Sequence, residues 1–397
     1  MALVVAGAAF GAQAQDQAGS YAMGANNMGL AFSVGETYDS NVARSSAAQA
    51  AARGLHPEDA KTDVNLNLDL LHALGRQSVF LAGDVGYQFF DKNTVLNRQK
   101  INLQGGIVMR AASCNLVLSD SVSSAQTSLD ELVNTVTKNE QNVNQVSASG
   151  ACARTLGLSP TFSLSESQGR NSSSRLKGQD YNNVSGSAGV AFDRPALGRI
   201  SVFGSYAKTE YTRSSPLAVL TGQVPSFEVT GGGVSYNRAL GARLRIALQV
   251  SYSTASQSLA SRSNFKGFVY GGNFTYTPNS RIVISLNANR SVNPSIQLGA
   301  TYQVVEKYEE QLRYRLSGRL ALEAGASQSD TSFQGASAGP ALILSDQSNY
   351  KYFAAATLTF LRVNSIKLNI QHDERQSNVA AFNYDSNQVS LTYTRHN

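Results

Sequence analysis

Four histidines, two cysteines and a glycine triplet are the parts of this sequence whose types could do chemistry. His56, His72, His372 and His396 stand far apart, and none has a neighbour at metal-ligand spacing. A hydrolase would need one of them beside a serine and an orienting group on adjacent strands. Ser and Asn are so common here that nearness to either carries no information. Gly231-Gly232-Gly233 lacks the following lysine and helix of a phosphate loop, and reads instead as a place where a sheet curves. No catalytic residue, metal or cofactor is expected, and no nucleic-acid partner. The chain is read as a non-enzyme.

The composition narrows what could position such residues. Charged residues are 15% of the chain, against about 25% in ordinary soluble proteins, and the net charge is +6. Ser, Thr, Asn and Gln account for 126 of 397 residues. Two cysteines exclude a disulfide framework. Apolar residues, 42% of the total, are too many and too evenly spread for a disordered chain. No apolar run approaches the ~18 residues of a membrane helix. An even mixture of this kind is what period-two alternation produces.

That alternation is visible from Leu30 onward. Val64, Leu66, Leu68 and Leu70 alternate with Asn65, Asn67 and Asp69. Val79, Leu81, Val85, Tyr87 and Phe89 oppose Asp84 and Gln88. Leu244, Ile246, Leu248 and Val250 oppose Arg243, Arg245, Gln249 and Ser251, and Ile366, Leu368 and Ile370 oppose Lys367, Asn369 and Gln371. Successive strand side chains point to opposite faces, so each segment has one apolar and one polar side. Eighteen such segments can be counted, with a range of 16–18, separated by alternately short and long connections. Short connections on one side and long loops on the other are the layout of a transmembrane antiparallel β-barrel, with periplasmic turns and extracellular loops. A β-sandwich would also alternate, but its strands average about 5–6 residues, too short for these segments. A solenoid or propeller would repeat at a fixed period, and none is found.

The barrel reading assigns the faces. Every backbone group must pair inside a bilayer, so a spanning sheet closes on itself, with the apolar side to lipid and the polar side to water. Eighteen strands leave a lumen too wide for side chains to fill. The pore-lining candidates are Asn67, Asp69, Asp84, Arg243, Arg245, Lys307, Arg313, Arg315 and Lys367. Their cations and the net charge favour anionic solutes, unless they serve mainly in structural ion pairs. Glu306 and Glu310 fall in the lipid phase, which implies a strand projecting beyond the membrane or a bulge. Tyr and Phe gather near strand ends, as interface girdles or as ordinary strand residues. Cys114 and Cys152 begin and end one hairpin, so they could face each other at the periplasmic rim as a disulfide, or remain two free thiols. Ser128 to Glu140 has helical spacing inside a long loop, either as a surface helix or as a lid over the pore.

Residues 1–14 read as the remnant of a secretory signal peptide, 15–29 as an N-terminal periplasmic segment and 30–397 as the barrel. The first strand ends Val34-Gly35-Glu36-Thr37-Tyr38-Asp39-Ser40-Asn41-Val42, and mid-chain comes Arg194-Pro195-Ala196-Leu197-Gly198-Arg199-Ile200-Ser201-Val202-Phe203-Gly204-Ser205-Tyr206. With the strand-and-loop layout, these stretches resemble the β-barrel porin 2 family of outer-membrane proteins. The resemblance implies a Gram-negative outer-membrane channel linked to surface or exopolysaccharide export. It implies outer-membrane lipid, polysaccharide, periplasmic export proteins and the barrel-assembly machinery as partners. Two other readings stay open: a general diffusion porin for small solutes, anionic ones among them, and a plugged structural or adhesion barrel.

Overall fold

The computed structural model describes residues 26–111, 113–126, 138–152, 157–212, 226–257, 264–294, 302–334 and 344–397. The expected signal remnant, and the Ser128–Glu140 helix up to residue 137, lie outside them. The first nine strands are β1 (Asn27–Asp39), β2 (Asp59–Leu74), β3 (Gln77–Phe90), β4 (Arg98–Ala111), β5 (Cys114–Gln126), β6 (Glu140–Cys152), β7 (Gly157–Asn171), β8 (Tyr181–Arg194) and β9 (Gly198–Tyr211). The second nine are β10 (Ser226–Leu240), β11 (Leu244–Gln257), β12 (Phe265–Asn279), β13 (Ile282–Pro294), β14 (Tyr302–Arg315), β15 (Leu320–Gln334), β16 (Asp346–Phe360), β17 (Asn364–Ser377) and β18 (Tyr384–His396). Among the described residues one α-helix, α1 (Ala47–Ala52), lies in the β1–β2 connection.

Each strand pairs antiparallel with its sequence neighbours, and β1 also pairs with β18, so the eighteen-stranded sheet is closed. All eighteen expected segments are strands. β1 starts at Asn27, three residues before the expected barrel boundary at 30. Its first backbone pairs to β2, opposite Leu71, and this fixes the earlier start.

The faces follow the pleat. Leu66, Leu248 and Leu368 are 39%, 49% and 43% exposed, with no second protein layer over them. Cross-strand rows keep the phase from strand to strand. Val34 meets Val64, which meets Tyr87, while on the other face Asn67 meets Asp84 and Asp84 meets Asn102. Among the described residues no helix is long and apolar enough to cross a membrane; the crossing is made by strands.

Backbone exceptions sit where the sheet demands them. At Gly233 an added Cβ would lie 2.3 Å from the Val250 carbonyl oxygen, so β10 and β11 approach there only because the side chain is missing. The β16–β17 turn is the opposite case. Leu361 and Arg362 hold φ of 51° and 62°, a left-handed pair that costs a side-chain-bearing residue about 1–2 kcal/mol each.

Candidate functional site

The lumen wall has two unlike halves. Across β5 to β8 it is built of hydroxyls: Ser119 bonds Ser147 at 2.7 Å, Ser163 bonds Ser187 at 2.8 Å and Ser165 bonds Ser185 at 2.7 Å. These pairs occupy adjacent inward positions on successive strands, since a hydroxyl can donate and accept across one ladder step. From β5 to β13 the inward positions carry charge only at Asp193, Arg199 and Arg245, all close to the short turns.

The charges gather on the arc from β14 round to β4. Lys100 meets Asp84 at 2.9 Å, and Lys307 pairs with Glu309. Glu323 serves two cations, Arg313 at 3.4 Å and Lys367 at 3.4 Å. Asp373 also serves two, Arg44 at 3.5 Å and Lys351 at 3.9 Å, and accepts from Gln371 and Gln388 at 2.8 Å each. Inward strand positions over this arc carry ten Lys or Arg against eight Asp or Glu, a small excess of positive charge.

The sequence-derived lining residues divide accordingly. Asn67, Asp69 and Asp84 face inward on β2 and β3, where Asn67 donates to the Ala31 carbonyl oxygen and Asp69 accepts from Asn27. Lys307, Arg313, Lys367 and Arg245 face inward on their strands. Arg315 ends β14 in the same phase. Arg243 falls one residue outside β11, in the turn before Leu244, where its carbonyl oxygen still accepts from the Thr277 amide of β12 at 2.7 Å. Of the two readings of Glu306 and Glu310, a strand projecting beyond the membrane or a bulge, the bulge is absent. β14 pairs without interruption on both sides, so the phase cannot shift. Glu306 pairs with Arg290 at 3.3 Å at the upper border of the apolar face, and Glu310 lies outward between Leu312 and Tyr308.

The mouth on the long-loop side is narrowed by the β1–β2 connection, residues 40–58. Ser46 accepts from the Gln49 amide and starts α1, a run of alanines with high helix propensity. Ala43, Ala50 and Leu55 bury against Phe90 and Leu96, with Val42 and Leu176 packed around them. Leu176 comes from the β7–β8 connection, so this cluster spans the mouth above β5 and β6. Its polar anchors reach inward-facing strand residues. Arg44 donates to Asp39 at 2.9 Å, and the Arg44 and Arg375 guanidiniums each lie 5.6 Å from the Tyr384 ring centroid. Asp59, 1% exposed, accepts from Lys92 N and both nitrogens of Asn93, tying the base of the loop to the next one. Outside this tie Lys92 bonds Glu58 at 3.0 Å, which holds the Glu58 carboxyl below its ordinary value, the Tyr38 hydroxyl adding to the effect.

Sequence reasoning did not find this constriction. Its available signal was Ser46 followed by five alanines and a glutamine. Cys114 and Cys152 pair in the β5–β6 register and are joined as a disulfide at the short-turn rim. The four histidines remain apart: His372 faces outward, bonded to Asn387 at 2.9 Å, and no metal-binding cluster occurs among the described residues.

A closed sheet with an apolar exterior and a polar, ion-paired interior defines a porin-like membrane barrel. A family model described as "Putative beta-barrel porin 2" matches residues 226–397, which are β10 to β18. No curated protein matches the chain. Among solved structures it is similar to Pseudomonas aeruginosa OccK5 (OpdH), with 11% identity over 94% of this chain and 98% of that one and a TM-score of 0.45. It is similar to Acinetobacter baumannii OccAB3, with 8% identity over 94% and 100% and a TM-score of 0.46. It is also similar to P. aeruginosa OccK2 (OpdF) in complex with glucuronate, with 10% identity over 94% and 99% and a TM-score of 0.49.

Proposed function

We propose that the chain is a passive outer-membrane channel for small hydrophilic solutes, with a preference for anions. The observation that carries this is the inward face of the closed sheet. It is lined by serine hydroxyls on one side and, on the other, by cations that share their acids, as at Glu323 and Asp373. A wall of this kind offers water and small polar solutes hydrogen bonds at little desolvation cost and raises the local concentration of anions.

The polysaccharide conduit implied by the family resemblance is left without support. Pyranose rings stack on exposed aromatics, and the well-exposed aromatics here, such as Tyr87, Phe162, Tyr252, Phe268 and Tyr352, all lie in the outward phase. General diffusion fits the lumen better.

Reconstitution in a planar bilayer tests the proposal. Stepwise conductance is expected, with a reversal potential in a KCl gradient of the sign for chloride preference. Liposomes containing the protein should swell in small sugars and progressively less in larger ones. A silent bilayer with correctly folded protein would instead support the plugged barrel.

A further inference from the structure

The short connections form a rim of unusual composition. Arg76, Arg194, Arg243, Arg281, Arg319 and Arg362 lie in or directly beside six of the eight, on the arc that runs from β8 through β18 to β3. All six are exposed, and none makes an ion pair among the described residues. The rim's ion pairs, Arg199 with Asp193 and Arg313 with Glu323, belong to the lumen side. No Asp, Glu or Lys stands in any short connection, so the basic residue used there is always arginine. The planar guanidinium fork matches a phosphate in two bonds, which an ammonium cannot do.

A second feature accompanies the first. Beside these arginines stand exposed aliphatic side chains: Leu74, Leu197, Leu316 and Leu361, the last 80% exposed. An aqueous solute or a polar protein surface has no use for them. A leaflet does, because it presents phosphate at one depth and acyl chain just below. The β16–β17 turn sharpens the point. Leu361 and Arg362 occupy two successive left-handed positions where Asn-Gly would sit without strain. The strained turn keeps the two side chains that an unstrained one would lack.

We propose that this rim binds the phosphate headgroups of an anionic phospholipid leaflet, with guanidinium on phosphate and leucine in the acyl region. Six of eight connections over most of the ring fit a surrounding annulus of lipid better than a partner docked on one side. The proposal rests on the membrane-barrel reading, with the short connections facing one leaflet.

The test uses the full chain in vesicles of phosphatidylcholine with spin-labelled phosphatidylglycerol or spin-labelled phosphatidylcholine. Annular selectivity for phosphatidylglycerol is expected at about threefold to fivefold in low salt. It should fall to about onefold when all six arginines are changed to Gln, and weaken in high salt. A folding-neutral check is the double change Leu361→Asn with Arg362→Gly, which relieves the turn. Its gain in heat resistance should be larger in pure phosphatidylcholine than in phosphatidylglycerol, where the lost contact offsets it. Equal selectivity for both lipids, or selectivity that survives in the six-arginine variant, overturns the proposal. So does an equal gain from the double change in both lipids. Loss of selectivity to millimolar inorganic phosphate at constant ionic strength would assign the rim to soluble anions and overturn it too. A chain that stays soluble with vesicles of either composition would sink the membrane reading itself.

Discussion

Replacing Glu323 by Gln isolates the charge balance of the lumen. Its carboxylate lies 3.4 Å from both Arg313 and Lys367, and the change leaves both cations without an acid among the described residues. The wall gains one positive charge. At about 10 Å from the ion path, Coulomb's law in water gives ~0.4 kcal/mol per monovalent ion before screening. Screening leaves ~0.3 kcal/mol at roughly 10 mM salt and ~0.1 kcal/mol at roughly 150 mM. Anions gain this energy and cations lose it. The chloride-to-potassium permeability ratio should therefore rise about threefold in the dilute salt and about 1.5-fold in the concentrated one. Reversal potentials in single-channel recordings read the ratio directly. Glu310→Gln is the control, because it removes the same charge from the outward face. The reasoning fails if Glu323→Gln leaves the ratio unchanged in dilute salt, or if Glu310→Gln moves it equally.

Three further outcomes follow from the same geometry. Leu248→Arg should destabilise the folded barrel by about 2–4 kcal/mol, while Gln249→Arg, one residue along and inward, should cost far less; denaturant titration in lipid vesicles compares them. Changing Cys114 and Cys152 to Ser removes a link across a sequence separation of 38, worth ~4 kcal/mol of unfolded-chain entropy, and should lower the temperature at which the heat-resistant gel band is lost. Arg44→Ala should free the mouth segment from Asp39, Asp373 and the Tyr384 ring, and raise both the conductance and its open-channel noise.

The strands were legible because one face meets lipid and the other meets water, so the pattern is written into every second residue. Leu248 beside Gln249 is enough to fix the phase of β11. That rule also placed Asp84 and Lys367 on the inner wall. It does not give the partners of a charge, which depend on strand register: nothing local to Glu323 announces that Arg313 and Lys367 will flank it. Arg243 shows the limit at strand ends, where the alternating pattern runs one residue past the strand into the turn before Leu244. Glu310 shows another, since an outward carboxylate invites a bulge that uninterrupted pairing does not contain. The mouth segment was hidden for a different reason. Its stability comes from contacts such as Arg44 to Asp373 and Leu176 to the cluster around Leu55 and Phe90, made between parts of the chain that meet only after the barrel has formed.

The seam between β1 and β18 has a consequence for how the molecule is made. Ala31 pairs with His396 and Asp39 with Gln388, so the earliest strand waits for the final one. Until that strand has been synthesised, two ragged borders of unpaired amides and carbonyls remain, and hydrocarbon will not accept them. The ring can therefore be zipped shut only at the end, with some temporary surface satisfying both borders in the meantime.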